Sequence, residues 1–222
     1  MAETTDAITS MMENLSLSKS DSTTEPTPAN PWLKLIDLDK AIEFDKYVRK
    51  SGFIPVANIV KDDEVFENGK NKGKKKRNTI IQFKPIIDKK EYENEETEWI
   101  YIFTIDNKIV KIGGTRTGLK GRVGSYLCGH HIPERGKSGK CSVTNAFIYN
   151  TFEYYLNRGH TIQMLGYKLP KKTFEINVFG EGSKEYPAQV YHIYEAAYLE
   201  DFKKIYKSIP DLSFNYMPTS KK

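Results

Sequence analysis

Two near-continuous apolar runs dominate the middle of the chain: Trp-Ile-Tyr-Ile-Phe-Thr-Ile at 99–105 and Ile-Val-Lys-Ile at 109–112. Runs of this length without polar alternation predict strands buried on both faces. Asp106, Asn107 and Lys108 form a turn-rich connection between them, so the pair reads as a hairpin, with Gly113-Gly114-Thr115 ending its second strand. A short helix is predicted over 119–127 in spite of Gly121 and Gly124, and helical spacing returns over 143–156. A strand is expected over 161–167. The longest predicted helix covers 187–207, with Pro187 as a favourable first-turn residue.

Upstream, Leu38, Ala41, Ile42, Phe44, Tyr47 and Val48 recur at roughly helical spacing over 37–50, and Ser51-Gly52 supplies the stop. A polar loop is expected next, dominated by residues 68–77, and it leads into a strand over 79–83. Glu91, Glu93, Glu95, Glu96 and Glu98 separate this part from the hairpin. Residues 1–30, rich in Ser, Thr, Glu and Pro, predict a disordered tail. The pattern therefore divides into 1–30, an N-terminal helix, basic loop and strand over 31–97, and a core over 98–222.

Charge sharpens this picture. The overall +5 conceals a tail of −4, from Glu3, Asp6, Glu13, Asp21 and Glu25 against Lys19, so the remainder carries +9. A basic body fits a polyanionic partner. The two cysteines, Cys128 and Cys141, are too few for a disulfide framework, and no secretory leader or membrane-length apolar run is evident. A soluble protein of a reducing, cytoplasmic compartment is the expectation. The run Lys74-Lys75-Lys76-Arg77 adds a nuclear-localisation signal as an alternative to a solvated loop.

Candidate chemistry follows from a few polar residues in apolar surroundings. Tyr191, Glu195, Tyr198 and Phe202 share one face of a helix, so Glu195 is a carboxylate within an aromatic stripe. Burying it requires a cation or a hydrogen-bonded partner, which a structural ion pair or a metal would each supply. Arg122 and Tyr126 share a face of the short helix. Lys111 stands at the end of an apolar strand, where an edge charge that discourages aggregation is the simple reading. Tyr101 reads by default as a core aromatic with a satisfied hydroxyl. Cys128, His130, His131 and Cys141 are spaced too irregularly for an ordinary structural zinc site.

Taken together, these positions resemble the GIY-YIG nuclease family over about residues 98–215. Trp99-Ile100-Tyr101 stands where the family has Gly-Ile-Tyr, and Lys111-Ile112-Gly113 where it has Tyr-Ile-Gly. Ten residues separate Tyr101 from Lys111 and eleven separate Lys111 from Arg122, followed by Tyr126 and the distant Glu195. A lysine in place of the second motif tyrosine is similar to the family's type II restriction enzymes. Ser213-Phe214-Asn215 resembles the C-terminal Asn element that orders the site.

The resemblance implies an α/β (α+β) fold, a small central antiparallel sheet flanked by helices, with N-terminal and inserted elements for DNA recognition. It implies an endonuclease acting on double-stranded DNA, a homodimer in the restriction-enzyme version, with no small-molecule cofactor. A monomeric nicking, mobile-element or repair nuclease and a catalytically inactive DNA-binding module are the alternatives. Glu195 would hold one Mg²⁺, or Mn²⁺, and Arg122 would stabilise phosphoryl charge. Tyr101 would act as general base with its pKa drawn down by Lys111 and the metal, and Tyr126 would hydrogen-bond nucleophile or phosphate. DNA contacts are expected from Lys74, Lys75, Lys76, Arg77, Arg116, Lys120, His130 and His131. The hairpin carries an internal check: a strict two-residue turn sets Tyr101 opposite Ile112, on the face away from Lys111. Convergence therefore requires a one-residue offset, through a three-residue loop or a bulge.

Overall fold

Residues 30, 32–130, 142–177, 179–180 and 182–213 are described in this computed structural model. Among them the chain runs β1 (Ile54–Lys61), β2 (Ile81–Pro85), α1 (Lys89–Glu93), β3 (Trp99–Ile105), β4 (Lys108–Thr115), α2 (Gly118–Leu127), α3 (Val143–Asn157), β5 (Ile162–Lys168), β6 (Lys172–Asn177), β7 (Ser183–Ala188) and α4 (Tyr191–Tyr206). Strands β1 to β5 form one antiparallel sheet in the order β2-β1-β5-β3-β4, and β6 pairs with β7 as a separate ribbon. This is the α+β sheet flanked by helices that the sequence leads one to expect. Two of the five strands come from the segment before residue 98.

Strand β3 lacks polar alternation because both of its faces are covered, and all seven of its residues are buried. Tyr101, Phe103 and Ile105 pack with Val123 and Tyr126 of α2 and with Ile148 and Phe152 of α3. The Phe103 and Phe152 rings meet edge to face at 5.0 Å. On the opposite face, Ile100, Ile102 and Ile112 pack with Leu199 and Phe202 of α4. Helix α3 begins at Ser142, whose hydroxyl accepts the Asn145 N–H. Helix α4 begins after Val190, and there the Glu98 carboxylate, from the residue preceding β3, accepts the backbone N–H groups of Val190 and Tyr191. It ends at Lys207 in the left-handed conformation.

Several local expectations are corrected. The segment 37–50 is not a helix; it contains only a single 3-10 turn, Phe44–Lys46. Its backbone instead serves the hairpin end of β4: Ile109 N–H donates to the Ile42 carbonyl and Phe44 N–H to the Asn107 carbonyl. A helix would have consumed those groups internally and left the strand edge bare. Residues 54–61, expected within a loop, form β1, with a register shift between Pro55 and Ala57 where the proline cannot donate to a ladder. Pro187 lies in β7 opposite Thr173, not at a helix start. The ribbon β6–β7 has every residue but Ala188 exposed and, apart from Pro187 and Ala188, lies outside the predicted elements.

The basic loop between β1 and β2 is folded back on itself through bridges between Val65 and Lys75 and between Phe66 and Lys72. Its anchor is Asp62, 2% exposed. Arg77 donates to both Asp62 oxygens, Nε at 2.6 Å and Nη2 at 3.0 Å, and the Thr79 hydroxyl adds a third bond at 2.9 Å. Arg77 also reaches Glu64 at 3.1 Å and Gln82 at 3.0 Å. Arg77 is thus the clasp of its loop.

The Arg77 hydrogen bonds hold the Asp62 carboxyl below its ordinary value, so its stabilising contribution is complete above about pH 4 and is lost as pH falls below that. Asp62→Ala should lower stability by about 1–2 kcal/mol at pH 7, less than for a fully buried pair because water reaches Arg77. The wild-type advantage should shrink below pH 4. Urea melts of both proteins at pH 7 and pH 3 check this; a gap that stays constant would refute the ion-pair account.

Candidate active site

The hairpin that carries the site turns through Asp106 and Asn107, both at positive φ (47° and 64°), which gives a two-residue connection. The offset needed for convergence comes just after it. Ile105 pairs with Lys108 and Thr104 with Ile109, but Phe103 pairs with Lys111, leaving Val110 as an extra residue. Lys111 therefore faces the same side of the sheet as Phe103 and Tyr101, whose own partner is Gly113. Without the bulge, Lys111 would point into the α4 side.

Two glycines let the side chains close in. A Cβ on Gly113 would lie 2.4 Å from the Tyr101 hydroxyl oxygen. On Gly114 it would lie 3.0 Å from a Glu195 carboxylate oxygen and 2.8 Å from the Tyr191 ring. Any other residue at either position would push a site residue away.

Tyr101 and Tyr126 are fully buried and share a hydrogen bond of 2.6 Å between their hydroxyls. Arg122 donates from Nε to the Tyr101 hydroxyl at 2.8 Å and from Nη2 to the Tyr126 hydroxyl at 2.9 Å. Its guanidinium also stands over the Tyr126 ring, 4.5 Å from the centroid. The four-residue spacing of Arg122 and Tyr126 on α2 produces this contact directly.

Lys111 is 4% exposed, and its ammonium donates to the Leu212 carbonyl at 3.0 Å. The segment supplying that carbonyl is fixed to β4 by three further bonds. Leu212 N–H donates to the Val110 carbonyl, Ile112 N–H donates to the Ser213 hydroxyl, and that hydroxyl donates to the Ile112 carbonyl. Glu195 is half-buried on α4, and its carboxylate accepts the Gly114 backbone N–H.

The electrostatics are set by burial against cations. Burial lifts the Glu195 pKa, opposed by Lys111, Arg122 and the Gly114 N–H. Burial pushes Lys111 down to about 8, assisted by Arg122 and opposed by Glu195. The Tyr101 phenol lies above its ordinary value: burial raises it, while the Arg122 cation and the Tyr126 hydrogen bond lower it. This departs from the expectation of a lowered Tyr101, and the opposing charge belongs to Arg122 rather than Lys111. Burial also resists charge on Arg122, but the two phenols outweigh it and keep the guanidinium firmly protonated. The Tyr126 phenol is lifted well above its ordinary value by burial and by Tyr101.

A cleft of about 260 Å³ opens beside this cluster, lined by Gly114, Thr115, Arg116, Thr117, Arg122, Ser125 and Tyr191. Such an arrangement can hold an anionic group, stabilise charge that develops on it, and exchange a proton through a phenol. The remaining candidates lie elsewhere. Lys74, Lys75 and Lys76 are exposed on the folded loop, with Lys76 4.0 Å from Glu64. Lys120 pairs with Glu93 at 3.1 Å, and Arg116 Nη1 reaches the Gln189 side-chain oxygen at 3.5 Å. His130 closes the 3-10 turn Cys128–His130, and Cys128 is exposed. His131, Cys141 and Asn215 lie outside the described residues.

Glu98 and Leu212 escape a reading of the sequence. Their contacts to α4 and Lys111 bridge 92 and 101 positions of the chain. No local spacing announces them.

No protein-family model matches the chain, and no curated protein matches it. Among solved structures, restriction endonuclease HPY188I in complex with product DNA aligns with a TM-score of 0.50 and 24% sequence identity, over 89% of this chain and 99% of that one. A mutant of EndoII from bacteriophage T4 aligns with a TM-score of 0.43 and 13% identity, over 73% of this chain and 96% of that one. The first likeness extends to the fold as a whole.

A depressed lysine is directly observable. With labelled lysine side chains, one resonance should titrate near pH 8 and should vanish in Lys111→Met. If no lysine titrates there, Lys111 is more hydrated than its burial implies.

Proposed function

We propose that the chain is a metal-dependent endonuclease of the GIY-YIG type that hydrolyses phosphodiester bonds in double-stranded DNA, acting as a sequence-specific type II restriction enzyme. The observation that carries this reading is the convergence of Tyr101, Tyr126, Arg122, Lys111 and Glu195 on one end of the hairpin beside an open cleft. Two buried phenols bound to one guanidinium, with a buried ammonium nearby, are costly to assemble for packing alone. The likeness in fold to a restriction endonuclease in complex with product DNA supports the same reading.

The donor set suits one hard divalent cation, Mg²⁺ or Mn²⁺. Glu195 offers a single carboxylate against Gly114, which lines the cleft, and no cluster of three or more His, Cys, Asp or Glu side chains that could hold a metal exists among the described residues. Coordination through one carboxylate, completed by water and phosphate oxygens, is the ordinary Mg²⁺ arrangement. The chemistry such an ion supplies is charge neutralisation at the scissile phosphate and its leaving oxygen.

The protein's own groups do the rest. Arg122, with its remaining donors toward the cleft, stabilises charge on the phosphoryl oxygens. Tyr101 removes a proton from the attacking water, and the hydrogen bond from Arg122 stabilises the phenolate that results. Tyr126, bonded to the same oxygen, orients it. Lys111, pinned by Leu212, places positive charge behind Glu195 and positions water. The N-terminal elements and the Lys74–Lys76 loop serve DNA recognition in this reading, and a homodimer supplies two sites for the two strands.

The test is cleavage of supercoiled and linear DNA of known sequence. Wild type should give discrete fragments with Mg²⁺ and none in EDTA. Glu195→Gln should give none at all, and Tyr101→Phe should slow cutting about 10²–10⁴-fold. Nicks or a smear would favour a nonspecific or nicking nuclease. DNA binding without cutting, equal in wild type and Glu195→Gln, would overturn the catalytic reading.

A further inference from the structure

A second, larger cleft of about 450 Å³ lies at the root of the β6–β7 ribbon. Its walls come from five places: Asn94 and Glu96 before β3, Arg116 after β4, Lys168 and the two residues that follow it at the end of β5, Lys171 and Lys172 at the start of β6, and Gln189 between β7 and α4. Arg116 also lines the cleft beside Arg122 and Gly114, so the two spaces meet at one side chain.

The chemistry of the walls differs from that of a phosphate groove. A groove built only to hold a backbone needs cations, whereas Glu96 repels phosphate and can only accept hydrogen bonds. Arg116 can only donate, and the amides of Asn94 and Gln189 do both. All four are exposed at the cleft. Mixed donors and acceptors of this kind match the edges of base pairs, where guanine offers two acceptors, adenine a donor and an acceptor, and cytosine an amino donor. Lys171 and Lys172 line the cleft with no ion pair among the described residues, whereas Lys168, which also lines it, is paired with Glu91, as Lys120 is with Glu93 and Arg77 with Asp62. Unpaired cations beside a mixed interior are the arrangement expected where a duplex is gripped by its phosphates and read at its bases.

The position is as informative as the composition. Gln189 lies two residues before α4, and the Glu98 carboxylate clamps the N–H groups of Val190 and Tyr191 that follow it. Glu195 is on the same helix. The distance between whatever Gln189 touches and whatever Glu195 holds is therefore fixed by a rigid element, as a defined cut site requires. Beyond the cleft, the ribbon exposes a face with Lys172, Phe174, Lys184 and Tyr186, and a two-stranded ribbon is of a width that the major groove admits.

We propose that this cleft is the base-reading subsite of the enzyme: Gln189 and Arg116 contact base-pair edges in the major groove, and Lys171 and Lys172 hold the flanking phosphates. The proposal rests on the DNA-cleaving reading of the neighbouring site and adds to it the residues that choose the sequence.

Selection of bound duplexes from a randomised pool, with the full-length protein in EDTA, tests the subsite without requiring cleavage. Wild type should enrich a consensus. Gln189→Ala should lose discrimination at one base position by about 10- to 100-fold. The Lys171→Ala/Lys172→Ala double variant should bind all sequences more weakly and show a shallower salt dependence. Both alter exposed side chains, so unchanged melting temperatures verify the fold.

A consensus that survives Gln189→Ala intact overturns the proposal, as does a wild type that enriches nothing, which would suit a ribbon that docks a protein instead. If wild type enriches a sequence yet cuts nothing with Mg²⁺, the nuclease reading falls. The Gln189→Ala comparison then decides the subsite on its own.

Discussion

Strand β4 is the last strand of its sheet, and its outer edge presents backbone donors and acceptors that no neighbouring strand meets. Three unrelated segments answer that demand along its length. Residues 42–44 satisfy the hairpin end, Leu212 and Ser213 satisfy Val110 and Ile112, and the Glu195 carboxylate takes the Gly114 N–H. An open edge is a liability in any soluble fold, and covering it needs no functional reason. Here the same bonds bring the Leu212 carbonyl onto Lys111 and the Glu195 carboxylate onto Gly114, a residue that lines the cleft. The site is built from the hydrogen-bonding needs of one strand.

What the edge collects, burial then tunes. Tyr101, Tyr126 and Lys111 all lose hydration, which moves each of them toward its neutral form. Arg122 is the group that keeps its charge in spite of burial, because a guanidinium with two phenol oxygens in front of it gains more than it loses. The cluster is thus a fixed cation surrounded by groups whose protonation is easily shifted. An incoming phosphate, with its negative charge and accompanying cation, would change the balance at all of them at once. A raised Tyr101 in the free protein is compatible with a base in the loaded one, since the local charge differs between the two states.

The hairpin and the two long helices were legible because their apolar periods are set by packing on known faces: β3 is buried throughout, and the aromatic stripe of α4 around Glu195 lies on the sheet as its spacing requires. The necessary offset between Tyr101 and Lys111 was legible as geometry, though the bulge at Val110 rather than a longer loop supplies it. What was not legible has a common cause in tertiary demand. Pro55 argues against a strand until a register shift accommodates it, and residues 37–50 have helical spacing but are needed in extended form along β4. Pro187 resembles a helix start, yet the helix begins after Val190 because Glu98, far away in the chain, caps it there. The ribbon's alternation of Phe174 and Ile176 with Thr173, Glu175 and Asn177 is short and covers no buried core, so it does not stand out along the chain.

The distribution of paired and unpaired cations carries the argument one step beyond the constellation. In a chain whose body is strongly basic, the number of lysines and arginines says little about which of them meet a polyanion. Arg77 looked available within Lys74-Lys75-Lys76-Arg77 and proves to be the clasp of its loop; Lys120 and Lys168 are likewise engaged with Glu93 and Glu91. Each such pair removes a charge from the surface that a nucleic acid would sense. Lys171 and Lys172, where the ribbon leaves the sheet, have no ion pair among the described residues and stand beside the side chains of Asn94, Glu96 and Gln189. On the proposed reading, Lys171 and Lys172 are the cleft lysines whose charge a duplex would sense in full, whereas Lys168 beside them is offset by Glu91, and the helix that carries Glu195 starts two residues after Gln189 of the same cleft.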